Sequence, residues 1–399
     1  MPADRRLRLF LGAFGDPGHA FPFIALGSAL VARGHEVVLQ TWSRWQADVL
    51  AAGMAFEPAP EYHVFPTRER PLKPYEAVVR ATGETRPLVA SLRPDAVVAD
   101  ILTLAPALAA ELEDVPVATV IPHTDPRMAP GWPPYSVGAR LPRTAIGRRL
   151  WGATSRLTDA GLEHGRRELN ETRRRLGLGP LDRVHGGISQ ALALVATFPA
   201  LEYPRPVALP ATHVVGPLLW EPPAQDAELP PGEGPLVLVA PSTSQDPSHQ
   251  LLRATLRGLA GLPVRVLAAW NRRPLVEPVD VPANARLVDW LSYARTMPQC
   301  DVVVTHGGHG TLARALASGC AVVVVPAAGD MNESAARVDW AGVGVRVPRR
   351  LCAPGPVRLA VERALAEPRL RERARALATW TREHDPPARA AELIEQLAT

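Results

Sequence analysis

The chain has 399 residues, of which 47% are hydrophobic and 21% are charged, so it is long enough to form two globular domains with apolar cores. Its formal net charge is +4, and aromatic residues are not interleaved with the basic ones, which argues against a nucleic acid partner. No window approaches the roughly 20 apolar residues of a membrane-spanning helix, and the charged N-terminus does not resemble a signal peptide. We therefore expect a soluble, cytoplasmic protein.

The first half of the chain alternates short apolar runs, which predict strands, with helical patterns. Repeated strand–helix units of this kind predict an α/β fold with a doubly wound parallel sheet and right-handed crossovers. The predicted strands are residues 7–11, 36–41, 54–57, 96–100, 117–121 and 191–196. The predicted helices are residues 20–31, 44–52, a helix that ends at residue 112, and arginine-rich helices over about residues 144–176.

Two long, proline-rich loops interrupt this rhythm, at residues 58–74 and 122–142. Long loops in a compact domain are usually functional or mobile. Both should leave the sheet near its carboxyl edge, where open α/β sheets bind ligands. His123 and Asp125 in the second loop could form a site, but we interpret them as part of the loop wall.

The arginines and cysteines carry less information. Arginines are densest between Arg140 and Arg175, where we expect a solvated helical face, with attraction to acidic lipid or an anionic substrate as the alternatives. Cys300, Cys320 and Cys352 form no CxxC pair and no metal-ligand spacing, which suits a reducing compartment. Since HExxH and D-x-D motifs are also missing from the sequence, it predicts no metal centre.

A linker with six prolines, residues 216–235, separates the two halves of the chain. The strand–helix rhythm then restarts, which predicts two similar Rossmann-like domains with a cleft between them. The predicted strands are residues 236–240, 264–269, 301–305, 322–325 and 343–347. The predicted helices are residues 249–259, 312–318, 332–341 and several from about residue 356 onward.

Residues 301–311, DVVVTHGGHGT, are the most informative stretch of the second half. They read as a buried strand, a glycine-rich turn and the start of a helix. Glycine lets the backbone approach a ligand closely, and the unpaired N–H groups of a helix N-terminus suit phosphate. A tight turn with packing glycines is the alternative, but the strand–turn–helix context favours a phosphate site.

A second candidate site follows the first strand. His19 lies in the first helical turn, and since a helix N-terminus disfavours imidazolium, we expect a neutral ring that can accept a proton. Asp100 ends a strand at the same sheet edge, where it could orient that ring as the third member of a triad does. The alternatives are a capping or surface histidine and a helix N-cap. No G-x-S-x-G elbow is present in the sequence, which argues against a hydrolase.

Two positions could contact a nucleotide sugar. Asp330 lies at a strand-to-helix turn, where a carboxylate can either accept hydrogen bonds from two vicinal sugar hydroxyls or cap the helix. Trp290 either offers a flat face to a nucleobase or fills a core.

The order of these motifs resembles that of the GT-B glycosyltransferases. G-H-x-x-P after the first strand, then a tryptophan, H-G-G-x-G-T and P-x-x-x-D-M are similar to the bacterial nucleoside-diphosphate-sugar transferases that decorate antibiotics, macrolides and polyketides among them. The resemblance spans nearly the whole chain. It implies an acceptor-binding Rossmann-like domain at 1–215, a linker at 216–235, a donor-binding domain at 236–380 and a C-terminal helix at 381–399 that packs on the first domain.

The resemblance also implies roles for individual residues. The family's general base falls on His19 and its orienting aspartate on Asp100. Many members have glutamine where this chain has Met331, and methionine cannot make the same sugar hydrogen bonds, which favours a deoxygenated sugar. The donor-binding positions, for diphosphate, nucleobase and sugar together, fall on Thr243, Trp290, Leu291, His306, Gly307, Gly308, Gly310, Thr311, Asp330 and Met331.

The expected activity is the inverting, metal-independent transfer of a hexose-type sugar from dTDP or UDP to a small hydrophobic or aromatic aglycone. The nucleotide sugar is a co-substrate, and no cofactor is expected. We expect a monomer or homodimer without membrane association, and either O- or C-transfer is compatible with the base. The alternatives are a sugar-nucleotide epimerase of the same fold, a lipid-linked transferase at the membrane surface, and a non-catalytic auxiliary partner of a transferase.

Overall fold

Two parallel β-sheets form the framework of the computed structural model, which describes residues 5–59, 74–224, 226–242 and 245–399. The strands of the first sheet are β1 (Arg8–Gly12), β2 (Glu36–Thr41), β3 (Ala55–Pro58), β4 (Ala96–Asp100), β5 (Val117–Ile121), β6 (Leu192–Val195) and β7 (Thr212–Val214). They are ordered β3-β2-β1-β4-β5-β6-β7, and all neighbours are parallel. The strand order therefore reverses direction between β1 and β4, which is where such sheets bind ligands.

The second sheet repeats this plan with one strand fewer. Its strands are β8 (Leu236–Ala240), β9 (Arg265–Ala269), β10 (Ala285–Val288), β11 (Val302–Thr305), β12 (Ala321–Val324) and β13 (Gly344–Arg346). They are ordered β10-β9-β8-β11-β12-β13, again all parallel. The predicted α/β class with two doubly wound sheets is confirmed, and the second reversal lies between β8 and β11.

Helices cover both sheets. Those of the first half are α1 (Pro17–Ala32), α2 (Gln46–Ala51), α3 (Pro74–Leu92), α4 (Leu104–Leu112) and α5 (Ala145–Arg175). Those of the second half are α6 (Gln250–Leu259), α7 (Tyr293–Thr296), α8 (His309–Ala317), α9 (Asp330–Ala341), α10 (Pro354–Ala366), α11 (Pro368–His384) and α12 (Pro386–Ala398). Short 3₁₀ turns occur at Ser43–Trp45, Pro199–Leu201, Met297–Gln299 and Arg349–Leu351.

The central strands are buried on both faces. All five residues of β4 and all five of β8 are buried, as expected where helices cover both sides of a parallel sheet. The side chains of successive β1 residues point to opposite faces of the sheet, because side chains alternate along a strand. Leu9 and Leu11 pack in the cluster that includes α1, whereas Phe10 packs with Val97 on the other face.

The last helix returns to the first sheet. Ala391 and Ile394 of α12 are fully buried in the core cluster that β1 and α1 share. At the rim of this contact, Glu395 accepts hydrogen bonds from Arg33 at 2.6 and 2.7 Å and lies 2.7 Å from Nε2 of His35. The chain thus begins and ends on the same domain, as the GT-B resemblance implies.

Several elements differ from the sequence prediction. α3 was not predicted, since Pro87 and a mixed polar pattern hide its period. β7 and β10 were also not predicted, although the other two edge strands, β3 and β13, were. The arginine-rich segment is one helix, α5, rather than several. Residues 60–73 of the loop predicted at 58–74 lie outside the described residues.

The arginines of α5 meet several carboxylates. The buried Arg173 donates to both carboxylate oxygens of Glu111 at 2.6 and 2.7 Å, whereas Arg174 and Arg175 form exposed pairs with Glu171. Through these ion pairs, the arginines at the C-terminal end of α5 contribute to packing at the protein surface. In the described part of the chain, no helix is long and apolar enough to cross a bilayer.

Candidate active site

The first candidate site forms where β1 and β4 end side by side. His19 is the third residue of α1, the helix that follows β1, and Asp100 is the last residue of β4. Nδ1 of His19 lies 2.8 Å from Oδ2 and 3.0 Å from Oδ1 of Asp100. A carboxylate can only accept here, so Nδ1 carries the proton and Nε2 is the free basic nitrogen. The structure therefore joins the two residues as the sequence predicted.

Asp100 is held rigidly. It is 1% exposed, and its carboxylate accepts hydrogen bonds from the backbone N–H of Leu102 at 2.9 Å and of Phe14 at 3.3 Å. The N-caps of the neighbouring helices are Asp16 for α1 and Thr103 for α4. The N-cap positions are thus occupied by other residues, although neither Asp16 nor Thr103 makes a side-chain capping hydrogen bond.

The pKa of His19 shifts in the direction opposite to the one expected. Burial lowers its pKa, but the charge and hydrogen bond of Asp100 raise it. Asp16 and Asp330 raise it further, so the pKa lies above the ordinary value. The expectation that the helix N-terminus keeps the ring neutral is wrong in direction, because a hydrogen-bonded carboxylate acts more strongly than the partial charge of a helix end.

The glycine-rich turn that the sequence predicts to bind phosphate joins β11 to α8. Gly307 has φ +89°, and a Cβ there would lie 3.1 Å from the carbonyl oxygen of Met331, so the turn and α9 touch through backbone. A Cβ on Gly308 would lie 2.4 Å from Nε2 of His306. Gly310, in contrast, is exposed, and a Cβ there would meet nothing within 4 Å. Of these three glycines, Gly310 is therefore the one with open space beside its Cα, where a ligand could bind.

His306 faces this turn. Its Nδ1 lies 3.3 Å from the carbonyl oxygen of Ala240 at the end of β8, so Nδ1–H donates there. Burial lowers the pKa of the ring, against the opposing effects of the Ala240 carbonyl and the charges of Asp330 and Asp246. The half-buried Thr311 follows in the first turn of α8, beside the unpaired N–H groups of the helix.

Asp330 opens α9 close to both histidines. The N-cap of α9 is Gly329, with φ +50°, so Asp330 is not the cap. Its charge raises the pKa of both His19 and His306. No hydrogen bond or ion pair to the Asp330 carboxylate occurs within residues 5–59, 74–224, 226–242 and 245–399, so it is available to a ligand.

The remaining donor positions differ in how accessible they are. Trp290 is half-buried, and the guanidinium of Arg272 lies 4.9 Å from its ring centre. Leu291 is 3% exposed in the core of the second sheet, so only its main chain could contact a donor. Thr243 lies outside the described residues.

Two further histidines line this region, and sequence reasoning did not assign them to it. His123, which we had interpreted as loop wall, has its ring centre 6.3 Å from that of His19. His309, the first residue of α8, is 8% exposed, and neither ring nitrogen has a hydrogen-bond partner in the described part of the protein. Burial, followed by the nearby His123, lowers the pKa of His309 to about 3. Only the loop after β5 and the packing of the two domains bring these rings together.

A further cavity lies elsewhere. It has about 420 Å³ and is bordered by α2, the linker and α7, including Asp48, Trp220 and Arg295. None of the paired histidines and aspartates borders it, so we do not place the reaction there. Within the described residues, no group of three or more His, Cys, Asp or Glu side chains could hold a metal ion.

The chain is similar to known natural-product glycosyltransferases. Residues 253–397 match the family model "Erythromycin biosynthesis protein CIII-like, C-terminal domain". The chain is 28% identical to 4'-demethylrebeccamycin synthase of Lentzea aerocolonigenes, over 98% of this chain and 99% of that protein. It is 27% identical to O-mycaminosyltylonolide 6-deoxyallosyltransferase of Streptomyces fradiae, over 98% of each.

Solved structures share the fold. The glycosyltransferase of kitacinnamycin superposes with a TM-score of 0.76 at 22% identity, covering 98% of this chain and 99% of that one. The glycosyltransferase VinC in complex with dTDP gives a TM-score of 0.71 at 19% identity, covering 98% and 99%. At these identities the structures show a common two-sheet fold with the C-terminal helix on α1.

Proposed function

We propose that this chain transfers a sugar from dTDP to a small aglycone with inversion at the anomeric carbon. The GT-B fold and the match of residues 253–397 to the erythromycin biosynthesis protein CIII-like family model support a glycosyltransferase. We assign acceptor binding to residues 1–215 and donor binding to residues 236–380. Two relatives are named for reactions on natural products, which supports an aglycone of that kind.

The observation that carries this proposal is the position of Asp330. Its charge acts on His19 of the first domain and on His306 of the second. Asp330 opens α9 next to the glycine-rich turn, because a Cβ on Gly307 would lie 3.1 Å from the carbonyl oxygen of Met331. The sugar of a donor with its diphosphate at that turn would therefore lie beside Asp330. A sugar held there would have its anomeric carbon between the base and the leaving diphosphate.

The proposed reaction begins at Nε2 of His19, which accepts the proton of the acceptor hydroxyl. Asp100 holds Nδ1–H and stabilises the imidazolium that forms. The acceptor oxygen attacks the anomeric carbon from the face opposite the diphosphate. The bond from that carbon to the phosphate oxygen breaks, and its electron pair leaves with the dTDP.

The diphosphate would be stabilised by the second domain. The first N–H groups of α8 point to the turn, and helix N-termini favour negative charge. His306 and Thr311 add polar groups at the same edge. Donors placed in advance around a developing charge are a large contribution to transition-state stabilisation, and we propose that this turn supplies it without a metal ion.

The sugar is proposed to lack one or more hydroxyls. Met331 follows Asp330 and offers no side-chain hydrogen bond of ordinary strength. One relative is named a 6-deoxyallosyltransferase, and another is solved with dTDP. We therefore propose a dTDP-deoxysugar over a UDP-sugar.

A transfer assay tests the assignment of donor and base. Wild-type enzyme is incubated with a panel of dTDP- and UDP-sugars and with phenolic or macrolide acceptors, and the glycosides are detected by mass spectrometry. We expect more glycoside from dTDP-sugars than from UDP-sugars. His19→Ala should reduce O-transfer by roughly 10²-fold or more while binding dTDP as tightly as wild type. Wild-type turnover by His19→Ala would overturn the assignment of His19 as the base. A preference for UDP-sugars would overturn the assignment of dTDP as the nucleotide of the donor.

A further inference from the structure

His123 offers a second hydrogen-bond acceptor beside the base. It lies two residues after the end of β5, in the loop at residues 122–142, and its Nδ1 lies 2.8 Å from the carbonyl oxygen of Thr124. A carbonyl can only accept, so Nδ1 of His123 carries the hydrogen and Nε2 carries the lone pair. The hydroxyl oxygen of Tyr135 lies 3.2 Å from the same Nδ1 and holds the ring from another side.

Nε2 of His123 remains free. No hydrogen bond to it occurs within the described ranges, and it is not among the buried polar atoms that lack a partner. The ring is half-buried, so Nε2 is reachable by a ligand. His309 differs here, because both of its nitrogens are buried and closed to solvent.

The pKa of His123 lies below its ordinary value. Burial lowers it, and the nearby His19 lowers it further, against the opposing effects of the Thr124 carbonyl and the charges of Asp330 and Asp100. A lowered pKa favours the neutral ring, whose Nε2 carries the lone pair. The direction of the pKa shift therefore agrees with the tautomer that the hydrogen bond to Thr124 sets.

The two rings are spaced for one molecule. The ring centres of His19 and His123 are 6.3 Å apart, with an angle of 79° between the planes. A hydrogen bond spans roughly 2.8 Å between heavy atoms, so two donors on adjacent atoms of one ligand can each reach one ring. Phe14, half-buried and 6.0 Å from His19 between ring centres, adds an apolar wall.

We propose that His123 is a specificity-determining residue, which accepts a hydrogen bond from a second O–H or N–H group next to the acceptor hydroxyl that His19 deprotonates. The preferred aglycone is therefore aromatic and carries two adjacent donors, as a catechol does. This inference rests on the proposed function, because it takes the His19 side of the cleft as the acceptor site.

Binding and transfer with two matched coumarins test this inference. The probes are 6,7-dihydroxy-4-methylcoumarin and 7-hydroxy-4-methylcoumarin, titrated by fluorescence into dTDP-saturated enzyme. Wild type is expected to bind the dihydroxy compound about tenfold more tightly, as one additional hydrogen bond predicts. His123→Phe should lose this preference with little change in affinity for the monohydroxy compound. His123→Gln, which restores an acceptor oxygen, should keep most of it.

The controls separate failure of the inference from failure of the proposed function. Unchanged dTDP affinity and thermal midpoint show that each variant is folded. If wild type shows no preference, binds neither coumarin, or loses affinity for both equally in His123→Phe, the inference is overturned even when sugar transfer to other acceptors proceeds. If the preference follows His123 but no acceptor is glycosylated, the proposed function falls and the binding role of His123 stands.

Discussion

Asp100 raises the pKa of His19. Burial alone would lower the pKa of this histidine, and the hydrogen-bonded carboxylate reverses the direction. The neutral form of a general base is the active one, and its fraction increases as the pH rises through the raised pKa. We therefore expect kcat/KM to fall on the acid side of a pKa that lies above the ordinary histidine value.

Asp100→Asn tests this coupling. Without the carboxylate charge, burial dominates and the pKa of His19 falls, so the acid limb of the kcat/KM profile should move to lower pH. The plateau should also drop by roughly 10²-fold or more, because an amide no longer fixes Nδ1–H. The profile is measured between about pH 5 and 9, with dTDP binding as the control. An acid limb that stays in place would show that His19 does not titrate in it.

The sequence predicted some of these residues and not others. The pairing of His19 with Asp100 was predictable, because both follow strands that end at one sheet edge. His123 and His309 were not, since their roles depend on a loop without periodicity and on the contact between domains. The direction of the His19 pKa was wrong, because the distance to Asp100 decides it and no sequence pattern gives that distance.

At the scale of elements, the turn between β11 and α8 is the part that sequence predicted best. The apolar run, the glycines and the following helix all exist, although α8 begins at His309 rather than at residue 312. Two of the four edge strands in the described sheets, β7 and β10, were not predicted, whereas all the central strands were. Elements buried on both faces are therefore more predictable than those at the margin.

The glycines of this turn give an element-scale prediction. Gly310→Ala should leave the thermal midpoint unchanged or higher, since alanine favours helix by about 1 kcal/mol over glycine, and among the described residues its Cβ meets no atom within 4 Å outside its own helix. Its dTDP affinity should nevertheless fall about tenfold, because the methyl group enters the space proposed for the diphosphate. Isothermal titration with dTDP measures this.

Gly308→Ala provides the comparison, because its Cβ would push the His306 ring aside. This variant should lose dTDP affinity through His306 rather than through direct obstruction. Wild-type dTDP affinity in Gly310→Ala would place the diphosphate away from the N-terminus of α8.

At the scale of the whole molecule, a buried arginine joins the two domains. Arg337 of α9 is 2% exposed, donates to Glu333 at 2.7 Å and donates to the carbonyl oxygen of Leu201 in the first domain at 2.9 Å. Its guanidinium lies 3.5 Å from the ring centre of Tyr203 and 3.4 Å from a carboxylate oxygen of Glu202. Since α9 begins at the proposed sugar site, this contact also positions that site.

Arg337→Ala should destabilise the protein by about 3–5 kcal/mol, because it leaves buried carboxylates without their partner. Differential scanning calorimetry should show a midpoint lowered by several degrees. Arg140→Ala is the matched control, since its pair with Asp339 also joins the domains but Arg140 is 78% exposed, where ion pairs contribute little. Equal midpoints in the two variants would contradict the proposed importance of the buried contact.

The central claim is that a single displacement transfers the sugar and inverts the configuration of its anomeric carbon. The anomeric configuration of the product tests this claim most directly. Wild-type enzyme is supplied with an α-linked dTDP-sugar and an accepted aglycone, and the anomeric configuration of the isolated glycoside is determined by proton NMR. Single displacement, with His19 and the diphosphate on opposite faces of the sugar, predicts a β-glycoside only. An α-glycoside would contradict this arrangement, because it requires either two displacements or attack from the face of the leaving diphosphate.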